Sequence, residues 1–343
     1  MMSQPLEPEP SPAQPTHPAP GATGRVSMAM VAARAGVSGQ TVSRVVNGSP
    51  RVDPATRARI EDAMAALGYR PHRAARTLRT GRSQTIGLIV TTLTTIGNSR
   101  MLQATAEAAA ERGYALTLVT AAHGIAAAFD SLIAQEVDGA IVLNEASAQV
   151  AAATLPPDLR LVIVDAPKAA NSTSVHSDHA RGAFTATTHL LQRGYHVVHH
   201  LAGPADSFAA NERERGWREA LLQAGIGAPE PVRGNWSAES GYSAGALLSG
   251  APAVFCANDQ MALGLLRSFA NQGRRVPEQV GVVGFDDVPD AANYQPPLTT
   301  IRQDFTALAH RAVQALVADI EGTSTTWSTT VIPTTLIDRD STR

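Results

Sequence analysis

The stretch MAMVAARAGVSGQTVSRVVN, Met28 to Asn47, decides how the front of this chain folds. It reads as two short helices joined by a tight turn. Met30, Val31, Ala32 and Ala35 form the apolar side of the first helix. Gly36 ends it, because a residue without a Cβ tolerates the left-handed backbone of a helix exit. Val37 plugs the gap between the helices. Ser38 is an N-cap for the second helix, its hydroxyl accepting from an otherwise unpaired backbone N–H. Val42, Val45 and Val46 face inward, which leaves Gly39, Gln40, Thr41, Ser43, Arg44 and Asn47 outside. Such a polar face adds nothing to a core and suits a DNA groove. The pattern is a helix-turn-helix whose second helix presents its N-terminal residues to base edges. An ordinary helical hairpin is the competing reading.

On either side of this stretch the signals continue. Ser27 caps the first helix. Asn47-Gly48-Ser49-Pro50 is a turn, and Asp53 caps a third helix with Pro54 at its first position. That helix, Ala55 to Leu67, places Ile60, Met64 and Leu67 on one face and stops at Gly68. Its Arg57 and Arg59 are expected in solvent or near phosphate. Upstream, residues 1–24 are rich in Pro, Ala and acidic or small residues. They cannot bury enough apolar surface to offset their ordering entropy, so a disordered tail is expected. Downstream, Pro71 to Leu78 is a short, Arg-rich, weakly amphipathic helix that includes Arg73. Alone it is too short to be stable, so it is a candidate for ordering only on DNA; the competing reading is a plain linker.

Charge distribution agrees with this division. The chain has 343 residues and a formal net charge of −2. From Arg25 to Arg82 there are eleven arginines against Asp53, Glu61 and Asp62, so the rest of the chain is acidic. A basic block ahead of an acidic body is the footprint of a nucleic-acid module attached to something else. The single cysteine, Cys256, lies in an apolar strand and reads as core; it excludes an internal disulfide framework and fits a reducing cytosol. No apolar run reaches the length of a membrane span, and the first residues lack a charged segment followed by an apolar one. A cytoplasmic protein is expected, with no membrane partner.

From Thr85 the texture changes to strands alternating with Ala-rich helices. Strands are expected at 86–90, 115–120, 139–143 and 161–164, with helices at 101–113 and 126–136. A second set follows: helix 181–194, strand 197–202, helices 212–224 and 237–249, strand 253–257, helix 260–271 and strand 280–285. Continuous apolar runs, rather than alternation, mean sheets covered on both faces. Two doubly wound parallel-sheet halves read as a clamshell with a ligand between them, near the strand C-termini; one large α/β enzyme domain is the alternative. The residues just past the strand ends are polar: Asp165; Ala202-Gly203-Pro204 followed by Arg213 and Gly216-Trp217; Trp236 in Gly234-Asn235-Trp236-Ser237; Asn258-Asp259; Asp286-Asp287. Gln303 and Phe305 follow Pro296-Pro297-Leu298-Thr299-Thr300-Ile301. Trp217 reads as core. The histidine pairs His176/His179 and His199/His200 have no second pair at zinc-like spacing, so neither a metal nor a cofactor is expected.

These fragments carry a resemblance. Ala32 to Asn47, A-x-x-A-G-V-S-x-x-T-V-S-R-V-x-N, resembles the headpiece of the lactose-repressor (LacI/GalR) family of bacterial transcription regulators. So do Ala-Gly-Pro with its Arg and Gly-Trp, Ala257-Asn258-Asp259-Gln260-Met261-Ala262, and Val283-Gly284-Phe285-Asp286-Asp287. The likeness spans Met28 to about Asp338. It implies an all-α helix-turn-helix headpiece (25–70), a hinge helix and linker (71–83), and a two-lobed α/β core like a type I periplasmic binding protein (84–338). It further implies a homodimer, expected here without a leucine-heptad tail, that reads pseudo-palindromic operator DNA. In that reading Gln40 and Arg44 contact bases, since a Gln pairs bidentately with adenine and an Arg with guanine. Ser27, Ser38, Thr41 and Asn47 contact phosphates. Gly39 stands where relatives often carry a bulkier residue. Leu78 is the apolar wedge of a minor-groove hinge helix. In the core, Arg213, Asn258 and Asp286, assisted by Asp165, would bind a sugar effector's hydroxyls, and Gln303 belongs to the same set. Trp236 and Phe305 would pack on its apolar face. Thr91, Thr95, Gly97, Asn98 and Met101 would supply the first lobe's contacts, of which Thr91 and Asn98 are expected in the site. The expected activity is repression of carbohydrate-utilisation genes, relieved by a galactoside- or glucoside-like sugar. The alternatives are a purine corepressor, or a sugar-modifying enzyme. The enzyme reading is weakened because Asp286 and Asp287 are sequence neighbours with diverging side chains, a poor catalytic pair. A periplasmic sugar receptor is excluded by the helix-turn-helix.

Overall fold

Ser27 accepts from the Met30 N–H at 3.3 Å and starts α1, Met28–Ala35, which Gly36 ends at φ 66°. In this computed structural model the described residues are 26–46, 48–69, 81–150, 156, 159–166, 172–323 and 326–343. Asn47, Arg73, Leu78, the 1–24 tail and most of the 71–83 connector therefore lie outside them. Ser38 accepts from the Thr41 N–H at 3.2 Å at the head of α2, Gly39–Val46. Asp53 accepts from the Thr56 N–H at 3.0 Å and starts α3, Pro54–Leu67, which ends at Gly68. Val31, Val42 and Ile60 are fully buried where the three helices meet, with Val37, Met64 and Leu67 packed on them. One expectation fails: Met30 is 48% exposed, and Met28 packs on the core in its place. The buried row is 28, 31, 32 and 35, the i, i+3, i+4, i+7 phase of a helix, and Met30 is out of phase with it. Arg57 is not simply solvated either, since its Nη2 donates to the Ser49 carbonyl at 2.5 Å and pins the turn after α2.

The chain divides into two compact units, Met1–Arg76 and Thr77–Arg343. The second unit holds two six-stranded sheets. Its first lobe is built from β1 (Thr85–Val90), α4 (Ile96–Glu111), β2 (Ala115–Thr120), α5 (Ile125–Ala134), β3 (Gly139–Leu143), α6 (Glu145–Val150), β4 (Arg160–Val164) and β5 (Thr173–Ser177). The second lobe follows with α7 (His179–Gln192), β6 (His199–Ala202), α8 (Phe208–Gln223), β7 (Val232–Arg233), α9 (Ala238–Ala244), β8 (Ala253–Cys256), α10 (Asp259–Asn271), β9 (Gly281–Asp286) and β10 (Thr299–Arg302). Then the chain returns. α11 (Phe305–Ile320) packs into the first-lobe core through Leu308, Ala312 and Leu316, and β11 (Thr329–Ile332) pairs parallel with β5. β12 (Thr335–Ile337) crosses again and pairs antiparallel with β10. The sheet orders are β11-β5-β4-β3-β1-β2 and β12-β10-β9-β8-β6-β7.

Two halves in sequence order was the expectation, and the late return of α11 and β11 corrects it. Nothing local marks the return, because α11 and β11 would suit either sheet; only the pairing with β5 decides. β3 and β9 are buried at every position, and separate apolar clusters cover the two faces of each sheet, as continuous apolar runs require. Two helix starts also differ from expectation. α4 begins five residues earlier, at Ile96, and α8 begins at Phe208 because Ser207 caps it, accepting from the Ala210 N–H.

Candidate functional site: a helix-turn-helix face and an interlobe cavity

In the first unit, α2 buries Val42 and Val45 and leaves Gly39, Gln40 and Arg44 exposed, with Thr41 half-buried. A Cβ on Gly39 would meet nothing within 4 Å, so the surface beside Gln40 is open. Ser38 and Thr41 share a hydroxyl–hydroxyl bond of 2.9 Å at the head of the helix. The first-turn N–H groups and the nearby arginines together form a surface suited to phosphates and base edges.

In the second unit, one cavity is lined by Thr95, Gly97, Asn144, Asp165, Ser207, Ala209, Arg213, Trp236, Asn258, Asp286, Gln303 and Phe305. Most of these follow strand C-termini. Asn144 follows β3, Asp165 β4, Trp236 β7, Asn258 β8, and Asp286 ends β9. Thr95 and Gly97 open α4 in the first lobe, Arg213 sits on α8 in the second, and Gln303 and Phe305 stand at the return crossing.

Arg213 is the centre. It is only 4% exposed, so it is not the surface ion pair that its neighbours Asp206 or Glu239 would have provided. Its guanidinium lies 3.8 Å from the centre of the Phe285 ring and 5.5 Å from that of Trp236. Nη1 donates to the Ala257 carbonyl, and Nη2 is 3.6 Å from Asp286 Oδ1. Nε donates to His179 Nδ1 at 3.3 Å. A guanidinium only donates, so Nδ1 is an acceptor and the ring hydrogen sits on Nε2. Nε2 then donates to Asp165 Oδ1 at 2.8 Å. Burial alone would raise the Asp165 carboxyl, but His179, Arg213 and the Ser177 N–H outweigh it and hold it below its ordinary value. Asp286 goes the other way: burial raises it, and Arg213 and the 2.6 Å bond from Gln303 Nε2 only partly offset that. Asn258 donates to the Trp236 carbonyl at 3.0 Å and accepts from the Met261 N–H at 2.9 Å, so it fixes Trp236 and caps α10 together. Gly203 lies flat against Trp236, since a Cβ there would come within 2.3 Å of the indole. Two buried polar atoms of the lining, Trp236 Nε1 and Gln303 Oε1, have no partner. A buried donor and a buried acceptor left open in a cavity call for a ligand that supplies the opposite groups.

Of the residues expected in this site, Asp165, Arg213, Trp236, Asn258, Asp286, Gln303 and Phe305 line the cavity, and Thr91 and Asn98 do not. Asn98 lies inside the first turn of the early-starting α4. Its Nδ2 donates to the Thr92 carbonyl at 2.9 Å and its Oδ1 accepts from Asn144, which ties α4 to the segments that follow β1 and β3. Met101 is core. Sequence reasoning overlooked Asn144, Ser207, Ala209 and the linking role of His179. Ser207 carried a usable signal, a cap residue just before a helix; the other three carried none. Asp287 diverges from Asp286 as expected, accepting from Arg302 and Arg339 at 2.7 Å each. Trp217 is core, fully buried, with its indole donating to the Val198 carbonyl. Cys256 is core as well. Among the described residues no group of His, Cys, Asp and Glu could hold a metal ion, and no helix is long and apolar enough to cross a membrane.

Residues 27–72 match the model of bacterial regulatory proteins of the lacI family, and residues 187–342 match that of the periplasmic binding protein-like domain. The HTH-type transcriptional regulator CelR of Thermobifida fusca is 36% identical over 92% of this chain and 98% of its own. The chain belongs to the LacI family. It is a DNA-binding transcriptional regulator with a helix-turn-helix domain and a two-subdomain core like a periplasmic binding protein. Among solved structures, the lac repressor dimer bound to operator and the anti-inducer ONPF matches with a TM-score of 0.82 at 33% identity, covering 93% of this chain and 99% of that one. A complex of the regulator CelR with cellobiose matches with a TM-score of 0.68 at 32% identity, over 92% of this chain and all of that one.

Proposed function

We propose that this LacI-family regulator is a cytoplasmic homodimeric repressor whose effector is a small uncharged sugar of the galactoside or glucoside kind, and that the sugar releases it from a pseudo-palindromic operator. The observation that carries the reading is the chemistry of the cavity. Asp286 and Gln303 Oε1 accept, Arg213 and Trp236 Nε1 donate, and Trp236 and Phe305 offer apolar faces, the complement of a polyhydroxylated ring. Two buried carboxylates, Asp165 and Asp286, line the cavity beside one guanidinium that already carries several bonds, so a phosphorylated ligand would enter against like charge. A purine corepressor would want stacked aromatic faces, and the first-lobe wall is Thr95, Gly97 and Asn144. Asp165 acts through His179 on Arg213.

On the DNA side, Gln40 and Arg44 read bases. Ser27, Ser38, Thr41 and Asn47 contact phosphates, and Gly39 leaves room beside them. Arg73 and Leu78 act from the hinge helix, Leu78 as a minor-groove wedge. The working domains are 25–70, 71–83 and 84–338. The protein does no chemistry on its ligand, so a sugar incubated with it is recovered unchanged.

A thermal-shift screen of mono- and disaccharides, with β-galactosides, β-glucosides, their 6-phosphates and purine bases alongside, tests the reading. At least one neutral sugar is expected to raise the melting temperature and to release the protein from operator DNA in a gel. A shift confined to phosphorylated sugars or purines would overturn it.

A further inference from the structure

α4 starts without a side-chain cap of its own. Thr95 holds the N-cap position in extended conformation, and its hydroxyl makes no cap bond. The acceptor comes instead from the second lobe. Gln260, in the first turn of α10, accepts from the Ile96 N–H through Oε1 at 3.0 Å, and the Ile96 side chain packs on a second-lobe apolar cluster. One turn further along α4, on the same face, stands Arg100. Its Nη1 donates to the Asp287 carbonyl at 3.2 Å, and its guanidinium lies 4.7 Å from the centre of the Phe305 ring. Asp287 directly follows the cavity acid Asp286 and is itself clamped by Arg302 and Arg339. Thr95 and Gly97, on either side of Ile96, are cavity wall, and so is Phe305. A Cβ on Gly97 would lie 3.9 Å from Phe305, in ordinary contact.

We infer that Arg100 and Gln260 are positioning residues for the effector: they dock the head of α4 onto the second lobe and so hold the Thr95–Gly97 wall and Phe305 against the ligand. This rests on the cavity being the effector site. The two bonds exist only while the lobes are engaged. They therefore count in full in the free-energy difference between engaged and separated lobes, and ligand affinity scales with the engaged fraction. Thr95 supplies no cap bond in Gln260's place, so losing Gln260 leaves a helix N-terminus unsatisfied. The Arg100 guanidinium adds a bond across the cleft and a cation over an aromatic face.

The test uses the full chain with single cysteines placed at two exposed positions, Glu107→Cys on α4 and Gln272→Cys beyond α10, and spin labels attached; Cys256 is buried and stays unlabelled. The distance between labels is measured without ligand in the parent and in Arg100→Met, Gln260→Leu and the double variant. Each single variant is expected to broaden or lengthen the distribution, the double variant most, and Gln260→Glu, which keeps the acceptor, to restore it. Cellobiose is the ligand probe, with affinity expected to fall about tenfold in each single variant. An unchanged distance in the double variant overturns the inference. So does a changed distance with unaltered cellobiose affinity, because the docking would then not position the wall. If cellobiose does not bind the parent either, that outcome counts against the effector reading for this sugar, and the ligand-free distance still decides the docking. A merely structural role would lower the melting temperature and leave the distance and the Gln260→Glu rescue unmoved.

Discussion

Asp286 shows what a single residue contributes to this cavity. It sits at φ 113°, a backbone conformation that L side chains rarely adopt, and Asn144, Asp165, Trp236 and Asp287 are likewise at positive φ. Each such residue costs about 1–3 kcal/mol and persists only where its surroundings over-determine it. Here the strain turns Asp286 into the cavity while Asp287 points to Arg302 and Arg339. With Asp286 accepting from two sugar hydroxyls, as proposed, Asp286→Ala should cost roughly 1.5–3 kcal/mol, or about 10- to 100-fold in sugar affinity. The expected outcome is a repressor that still binds operator and is no longer released by the sugar; release at the parent's sugar concentration would show the site to be elsewhere. Arg44→Ala belongs to the same scale. It should weaken specific operator binding by about 1–3 kcal/mol, measured by titration against cognate and scrambled duplexes, with sugar affinity unchanged. Equal loss of both functions would contradict it.

Among the elements, β6 carries a buried histidine whose protonation reports on folding. His200 stacks on Phe255 at 4.8 Å, its Nδ1 bonds the Phe255 carbonyl at 2.9 Å, and its Nε2 has no partner. Burial pushes it down to about 4 from an ordinary value near 6.5. The folded strand holds the ring neutral, while the unfolded chain takes up a proton below 6.5. Stability from this residue is thus intact above 6.5 and lost as pH falls towards 4, by roughly 3 kcal/mol in all. His189 and His199 are also pushed down by burial and add with the same sign. Urea midpoints measured from pH 7 to pH 4.5 should fall for the parent and fall less steeply for His200→Phe. In the headpiece, α3 depends on the Asp53 cap, and Asp53→Ala should cost about 1 kcal/mol of headpiece stability, seen in the denaturation of that unit.

At the scale of the whole molecule, the two compact units have separate apolar cores, a small one among α1–α3 and four larger clusters in the lobes. Units with separate cores unfold as separate transitions. Calorimetry of the full chain is expected to show a small early transition and a large late one. A ligand raises only the transition of the unit it binds, so an effector sugar should move the late one and operator DNA the early one. A single transition that both ligands shift equally would mean that the units unfold as one.

Much of this was readable in the residues themselves. Capping and glycine exits placed α1 to α3, because a cap is a local bargain between one side chain and the next turn. Apolar runs placed most strands, and the residues past their ends, with Thr95 and Gly97 of the first lobe, named nine of the cavity's lining residues. Asn144, the linking His179 and the early start of α4 were not legible, and neither was the return of α11 and β11 to the first lobe. These depend on partners far away in sequence: His179 matters because Asp165 and Arg213 arrive on either side of it, and α4 starts where it does beside a cap supplied by Gln260. Local chemistry determined which segments form and which side chains could recognise a ligand. Only the folded arrangement decided which of them meet, since long-range contacts bring together groups whose local sequence carries no mark of the encounter.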